Sequence, residues 1–146
     1  MPSTISRSLS GVVSAWVLSR YRPEEAWRFL QHALESDVSD VQGGTTSEGI
    51  HLGAMAGTVD IVLRCLTGMR ALGPVLRLDP ALPTEVKHLK FSVHYRGQRV
   101  DIELAEDRVR LGVRPGGTTT VNLLVHGQPV ELTPGQEREL ALERTP

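Results

Sequence analysis

Apolar positions in the first third of the chain recur at helical spacing. Over residues 8–18, Leu9, Val12, Val13, Trp16 and Val17 fall on one stripe, which predicts an amphipathic helix with that stripe buried. Pro23 suits the first position of a second helix, and Glu24 and Glu25 favour its positive end. Ala26, Trp27, Leu30, Ala33 and Leu34 supply its buried face, to about Asp37. The short connection predicts antiparallel neighbours. A polar stretch over 39–48, broken by Gly43-Gly44, ends in Thr45-x-x-Glu48, which has capping-box form and starts a third helix. Over 50–66 only His51, Thr58, Asp60 and Arg64 are clearly polar, while Gly53, Ala54, Ala56 and Gly57 are small. Neighbours can therefore approach this helix nearly all round, as they would inside something larger.

After Gly68 the period changes from helical to two. Residues 75–78, 89–95, 100–104, 109–113, 121–125 and 130–132 are short segments rich in Val and Leu, each predicted as a strand. Tyr95-Arg96-Gly97-Gln98 and Ala105-Glu106-Asp107 read as hairpin connections, and Pro115-Gly116-Gly117 and Thr133-Pro134-Gly135 as turns. The expected class is α+β: a helical part over 1–67, then an antiparallel β-sandwich or sheet domain over 68–146.

With 146 residues the chain can bury one ordinary core, and because its halves read so differently, one compact unit made of two sub-structures is expected. Its formal charge is -1, with acids and bases interspersed, so no footprint for nucleic acid or an anionic membrane surface is present and neither partner is expected. No span reaches the ~18 apolar residues of a membrane helix, and the start lacks the basic and apolar regions of a secretory signal. A cytoplasmic protein is expected. Cys65, the only cysteine, excludes an internal disulfide and a cysteine-based metal site, and reads as a small buried apolar side chain.

Candidate chemistry concentrates in Gly43-Gly44-Thr45-Thr46-Ser47-Glu48-Gly49-Ile50-His51. The glycines permit a close backbone turn, and three hydroxyls and a helix N-terminus offer donors that stabilise an anion. His51, in the first turn of that helix, could donate to a phosphate oxygen or position a water. The same pattern also fits a capped helix start with a hydrogen-bonded histidine. His32 reads as a surface or groove residue. His88, His94 and His126 are too widely separated for a metal site, so no metal is expected. Asp37 and Asp40 read as solvated loop acids, with a local bonding or substrate role for one of them as the alternative, Glu137, Glu139 and Glu143 as a solvated strand or tail face, and Trp16 and Trp27 as core.

Gln42 to Val62, QGGTTSEGIHLGAMAGTVDIV, closely resembles the late segment of glycoside hydrolase family 65, which includes maltose, trehalose and kojibiose phosphorylases. The resemblance extends upstream through Ala15-Trp16-Val17-Leu18 and Ala26-Trp27, and downstream through LRLDPALPTEVKHLKFSVHYRGQRVDIEL, 76–104. It implies that 1–67 are the last helices of an (α/α)6 catalytic barrel and that 68–146 are the family's C-terminal β-domain. It further implies phosphorolysis or hydrolysis of an α-glucosidic disaccharide with inversion, inorganic phosphate being the co-substrate and no cofactor being needed. His51 matches the histidine beside the phosphate in the phosphorylases, where a hydrolytic member is expected to carry a glutamate. Ser8-Leu9-Ser10 resembles a phosphate-side segment, and Thr45 and Thr46 precede the histidine. The implied phosphate-binding residues are thus Ser8, Ser10, Thr45, Thr46 and His51. Arg7 and Ser14 depart from the family, which more often has Ser or Gly and a histidine there.

The resemblance also implies that the general acid lies upstream of Met1, so that the chain alone lacks it and is either a truncated gene product or a part that associates with a separately encoded front half. Read this way, the chain should expose apolar helix surface and either aggregate or depend on a partner. The alternatives are a non-catalytic carbohydrate-binding or interaction module built on the β-half, or a truncated fragment without function.

Overall fold

The computed structural model describes residues 7–19, 21–35, 52–71 and 73–142. The chain divides into two compact units, Met1–Leu66 and Thr67–Pro146.

In the first unit, α1 (Arg7–Leu18) packs against α2 (Pro23–Glu35), and both meet α3 (Leu52–Asp60). Pro23 opens α2 as its lack of a donor and fixed φ favour, and Arg22 just before the helix pairs with Glu25 at 2.9 Å. Ala26, Leu30 and Ala33, spaced one turn apart, are buried, as is Ala15 of α1. Small size matters where α3 meets α1: a side chain at Gly57 would run into Val12. Beyond α3 the chain widens into a π-helical turn, Ile61–Leu66, in which Ile61 and Leu66 are buried and Arg64 reaches back to Asp60 at 2.7 Å.

The expected burial of the α1 stripe is not found. Val13, Trp16 and Val17 are about half exposed, at 57, 48 and 60%, and Tyr21 is exposed. On α3, Gly53, Ala56 and Val59 also face outward. Stripe position predicts which residues share a face; it does not supply the element that covers that face. Trp16 is therefore not core here, and Cys65 is only partly buried. The expected cap at Thr45 and Glu48 lies outside the described residues.

The second unit is a sandwich of two sheets. Strands β1 (Leu76–Leu78), β5 (Val121–Val125) and β6 (Gln128–Leu132) form one, in the order β1-β5-β6. The other, β2-β3-β4-β7, contains β2 (His88–Tyr95), β3 (Gln98–Ala105), β4 (Arg108–Val113) and β7 (Glu137–Ala141). Alternation sets the register. Phe91, Ile102 and Leu111 stand side by side on one face, as do Val93, Val100 and Val113, and they meet Leu76, Leu78, Val121, Leu123, Val125, Val130 and Leu132 from the other sheet in one core.

One feature differs from the expected antiparallel arrangement, and one decides between the strand and tail readings of the charged segment near the end of the chain. β1 runs parallel to β5, with Leu76 beside Leu123 and Leu78 beside Val125. The charged segment at 137–141 is the fourth strand of the larger sheet, where Leu140 alone of its residues is buried, opposite Val109. Two hairpins turn through left-handed pairs, Arg96-Gly97 and His126-Gly127, whose positive φ values suit the twist of two-residue connections. The His126 N–H donates to Leu78 O at 3.0 Å, so the second of these turns also anchors the end of β1.

At the start of this unit Thr67 is fully buried and its carbonyl accepts the Asp79 N–H at 3.1 Å. Gly68 follows with φ +61°, and a Cβ there would overlap the Asp79 backbone. Gly68→Ala should therefore destabilise the unit by at least about 2 kcal/mol, from the left-handed strain plus the overlap. Gly127, at φ +78° with open space around it, provides the comparison. Gly127→Ala pays only for the dihedral, and equal losses of melting temperature for the two variants would show that the Asp79 contact costs nothing.

Candidate functional site

The residues implied for phosphate binding are divided by what the structure describes. Ser8 and Ser10 fall in the first turn of α1, among the backbone N–H groups that lack intrahelical acceptors. Thr45, Thr46 and His51 lie outside the described residues, as do Asp37 and Asp40; α3 begins directly after His51, at Leu52.

The remaining candidates have structural employment or face solvent. His32 is exposed in the last turn of α2. His126 Nε2 lies 3.2 Å from Pro80 O, and His88 Nε2 lies 3.0 Å from Glu103 Oε1. Among the described residues, no group of three or more His, Cys, Asp or Glu could hold a metal ion. Nor is any helix there long and apolar enough to cross a membrane. In the helical unit the Trp27 Nε1 donor is buried without a hydrogen-bond partner among the described residues. An unsatisfied buried donor costs about 1–3 kcal/mol.

Sequence reasoning missed the ordering of charge on the outer face of the larger sheet. Register places Lys90, Glu103, Arg110 and Glu139 in one row across all four strands, alternating in sign. Lys90 Nζ lies 3.4 Å from Glu103, and Arg110 Nη2 lies 2.9 Å from Glu139. His88, and with it Lys90, hold the Glu103 carboxyl below its ordinary value, while Glu139 raises that of Arg110. Beside this row Asp101 accepts from Arg114 Nε at 2.8 Å and Ser92 Oγ at 2.5 Å, with Arg99 Nε 3.6 Å away. Period-two alternation contained this signal, but strand register was needed to read it.

Arg114, then Ser92, hold the Asp101 carboxyl below the ordinary value. A carboxyl depressed on folding stabilises fully above its unfolded value, about 4, and loses that contribution as pH falls through the folded value. Acid should therefore lower the melting temperature of the chain less steeply in Asp101→Asn than in the unaltered chain. At neutral pH the substitution should cost no more than about 1 kcal/mol, because the Asp101 side chain is 34% exposed and its ion pairs are screened. Superimposable acid profiles for the two proteins would remove Asp101 from the account.

Comparison with known proteins matches both units to domains of one family. Residues 1–60 match the model of the glycosyl hydrolase family 65 central catalytic domain, and residues 69–132 match that of the glycosyl hydrolase family 65 C-terminal domain. An uncharacterised glycosyl hydrolase of Mycobacterium tuberculosis is 35% identical over 137 residues, which are 94% of this chain and 10% of the relative. Trehalose 6-phosphate phosphorylase of Lactococcus lactis is 32% identical over 122 residues, 82% of this chain and 15% of the relative. A solved structure assigned as a kojibiose phosphorylase from the human microbiome matches the fold with a TM-score of 0.78 at 20% identity, over 92% of this chain and 17% of that one. The chain thus spans only a small part of the length of the proteins it matches. Two consecutive domain matches in the family's own order, with relatives above 30% identity across most of the sequence, establish that this chain belongs to glycoside hydrolase family 65.

Proposed function

We propose that the chain supplies the phosphate side of an inverting phosphorolysis of an α-glucosidic disaccharide, within a barrel completed by further helices of the catalytic domain. The observation that carries this reading is the match of residues 1–60 to the family's central catalytic domain, in a segment that contains His51. Relatives named as phosphorylases of trehalose and of maltose favour phosphate over water as the acceptor. So does a histidine at 51, which can donate to a phosphate oxygen where a hydrolytic member would need a carboxylate base.

Two physical features support completion by further helices. The half-exposed stripe of Val13, Trp16 and Val17 and the outward Val59 are apolar surface that water leaves uncompensated. Trp27 Nε1 is a buried donor for which an acceptor on a neighbouring element would be stabilising.

In the proposed reaction a phosphate oxygen attacks the anomeric carbon from the face opposite the scissile bond. The glycosidic C–O bond breaks, its oxygen takes a proton from a general acid on another part of the barrel, and the products are β-glucose 1-phosphate and the released sugar. Ser8, Ser10, Thr45, Thr46 and His51 would hold the phosphate by hydrogen bonds from hydroxyls, imidazole and helix-terminal N–H groups. No cofactor takes part. Disaccharide and phosphate are the small-molecule partners, and the rest of the barrel is the protein partner.

The reading is tested by co-producing the chain with the preceding part of a family 65 catalytic domain and supplying maltose, trehalose or kojibiose with phosphate. Phosphate-dependent formation of β-glucose 1-phosphate by NMR is expected for at least one sugar. Glucose release at the same rate without phosphate would make the assembly a hydrolase instead. A carbohydrate-binding role for the β-unit alone finds little support: of its two aromatic residues Tyr95 is buried with its hydroxyl on Gly73 O at 2.7 Å, and Phe91 packs on the core. Neither offers the exposed ring on which a sugar would stack.

A further inference from the structure

The distance between two packed helices is set by the side chains at their contact. Where α1 meets α3 the contact pair is Val12 and Gly57: a Cβ at Gly57 would overlap Val12 Cγ1, with Val12 Cγ2 at 3.1 Å and Val12 Cβ at 3.3 Å. The valine cannot turn away, because a β-branched side chain in a helix has one strongly preferred rotamer. Nor is there slack in the next turn, where Ala15 of α1 and Ile61 beyond α3, the following residues on the same two faces, are fully buried. Restoring ordinary carbon–carbon separation around an added methyl group would therefore drive the two helices apart by roughly 1 Å.

Both helices start the same distance before this contact. α1 begins at Arg7, five residues ahead of Val12, and α3 begins at Leu52, five residues ahead of Gly57. That is about 7.5 Å of helix in each case. The segments proposed to hold phosphate sit at these two starts. Ser8 stands one turn before Val12 in the same row of α1, and His51 immediately precedes Leu52.

We propose that Val12 and Gly57 are positioning residues for the phosphate: as a size-matched spacer they fix the separation between the starts of α1 and α3, and with it the joint grip of Ser8 and His51 on one anion. The inference rests on the phosphate-side reading of those two segments. Neither residue touches the anion. Their leverage is geometric, since a displacement of about 1 Å in the groups that hold a reactant can cost about 10²-fold in rate. Phosphate attacks from the face opposite the scissile bond, so the grip on the leaving sugar does not depend on this spacing.

The test is a double-mutant cycle in the assembly of this chain with the preceding part of a family 65 catalytic domain, reading the KM for phosphate and the KM for the disaccharide separately. Gly57→Ala should raise the KM for phosphate about tenfold or more and leave that for the disaccharide within about twofold. Val12→Ala removes the spacer from the other side and should raise the KM for phosphate about threefold or more. Combining the two removes both Val12 methyl groups from the added Cβ, and should return the KM for phosphate to within about twofold of the unaltered assembly. A contact that serves folding alone would lower the yield of active enzyme and move neither KM. Should Gly57→Ala not accumulate folded, Val12→Ala and the double variant decide. The spacer is overturned if a folded single variant keeps its KM for phosphate, if the KM values for both substrates rise together, or if the double variant is not restored. An unaltered assembly with no phosphate-dependent reaction overturns the phosphate-side reading, and the spacer with it.

Discussion

Phosphorolysis by the completed enzyme should fall about 10²–10⁴-fold in kcat/KM when His51 is replaced by alanine, the range lost when a group acting on the reacting atoms is removed. The expectation rests on the proposed placement of His51 beside the phosphate. A histidine that only holds phosphate in the ground state would raise the KM for phosphate and leave kcat nearly unchanged. One that stabilises the attacking phosphate as its charge redistributes would lower kcat as well. His51→Gln separates the two, since an amide retains a donor without a titrating proton. Substantial recovery in His51→Gln at all pH values would identify hydrogen bonding as the whole contribution. Activity within about threefold of the unaltered enzyme in His51→Ala would remove the residue from the site and return its segment to the role of a capped helix start.

The largest effect on stability should come from Ile102→Ala. Ile102 lies at the middle of β3, fully buried, with Phe91 and Leu111 as its register neighbours on either side. Deleting its branched side chain costs about 2–5 kcal/mol, as transfer energy plus the cavity that the flanking strands cannot close. A unit of this size is stable by roughly 4–12 kcal/mol in total. The variant should therefore melt at a temperature lower by at least about 10 °C, or fail to accumulate folded. Glu131→Ala, on the exposed side of β6, should stay within about 0.5 kcal/mol. A similar loss at both positions would mean that the unit unfolds for reasons other than core packing.

Strands were legible wherever one face of the segment is buried, because alternation then has to show in the sequence: residues 100–104 and 109–113 read as strands and are strands. β7 was obscured because an edge strand of mostly charged residues carries one buried side chain, Leu140, too little to establish a period. The parallel pairing of β1 with β5 could not be read at all, since it depends on which distant segment fills the space beside β1. In the helices the reading found the buried Ala26, Leu30 and Ala33 of α2, but Leu34 is exposed there, and on α1 Ala15 is buried while Trp16, placed in the core by its stripe, stands half exposed. The proposed phosphate-side residues come from family resemblance rather than from chemistry. Two glycines, hydroxyls and a histidine suit many helix starts, and only the run around His51 gives them a specific meaning.

The pairing of β1 with β5 also bears on the order in which the β-unit can fold. β2, β3 and β4 are joined by short connections, so their ladders close small loops and can form early, as can the hairpin of β5 and β6. Leu76 must instead wait for Leu123, with the whole three-stranded meander between them. Docking of β1, sealed by the His126 N–H on Leu78 O, is then the late event. Mutations there should speed unfolding and leave the refolding rate almost untouched.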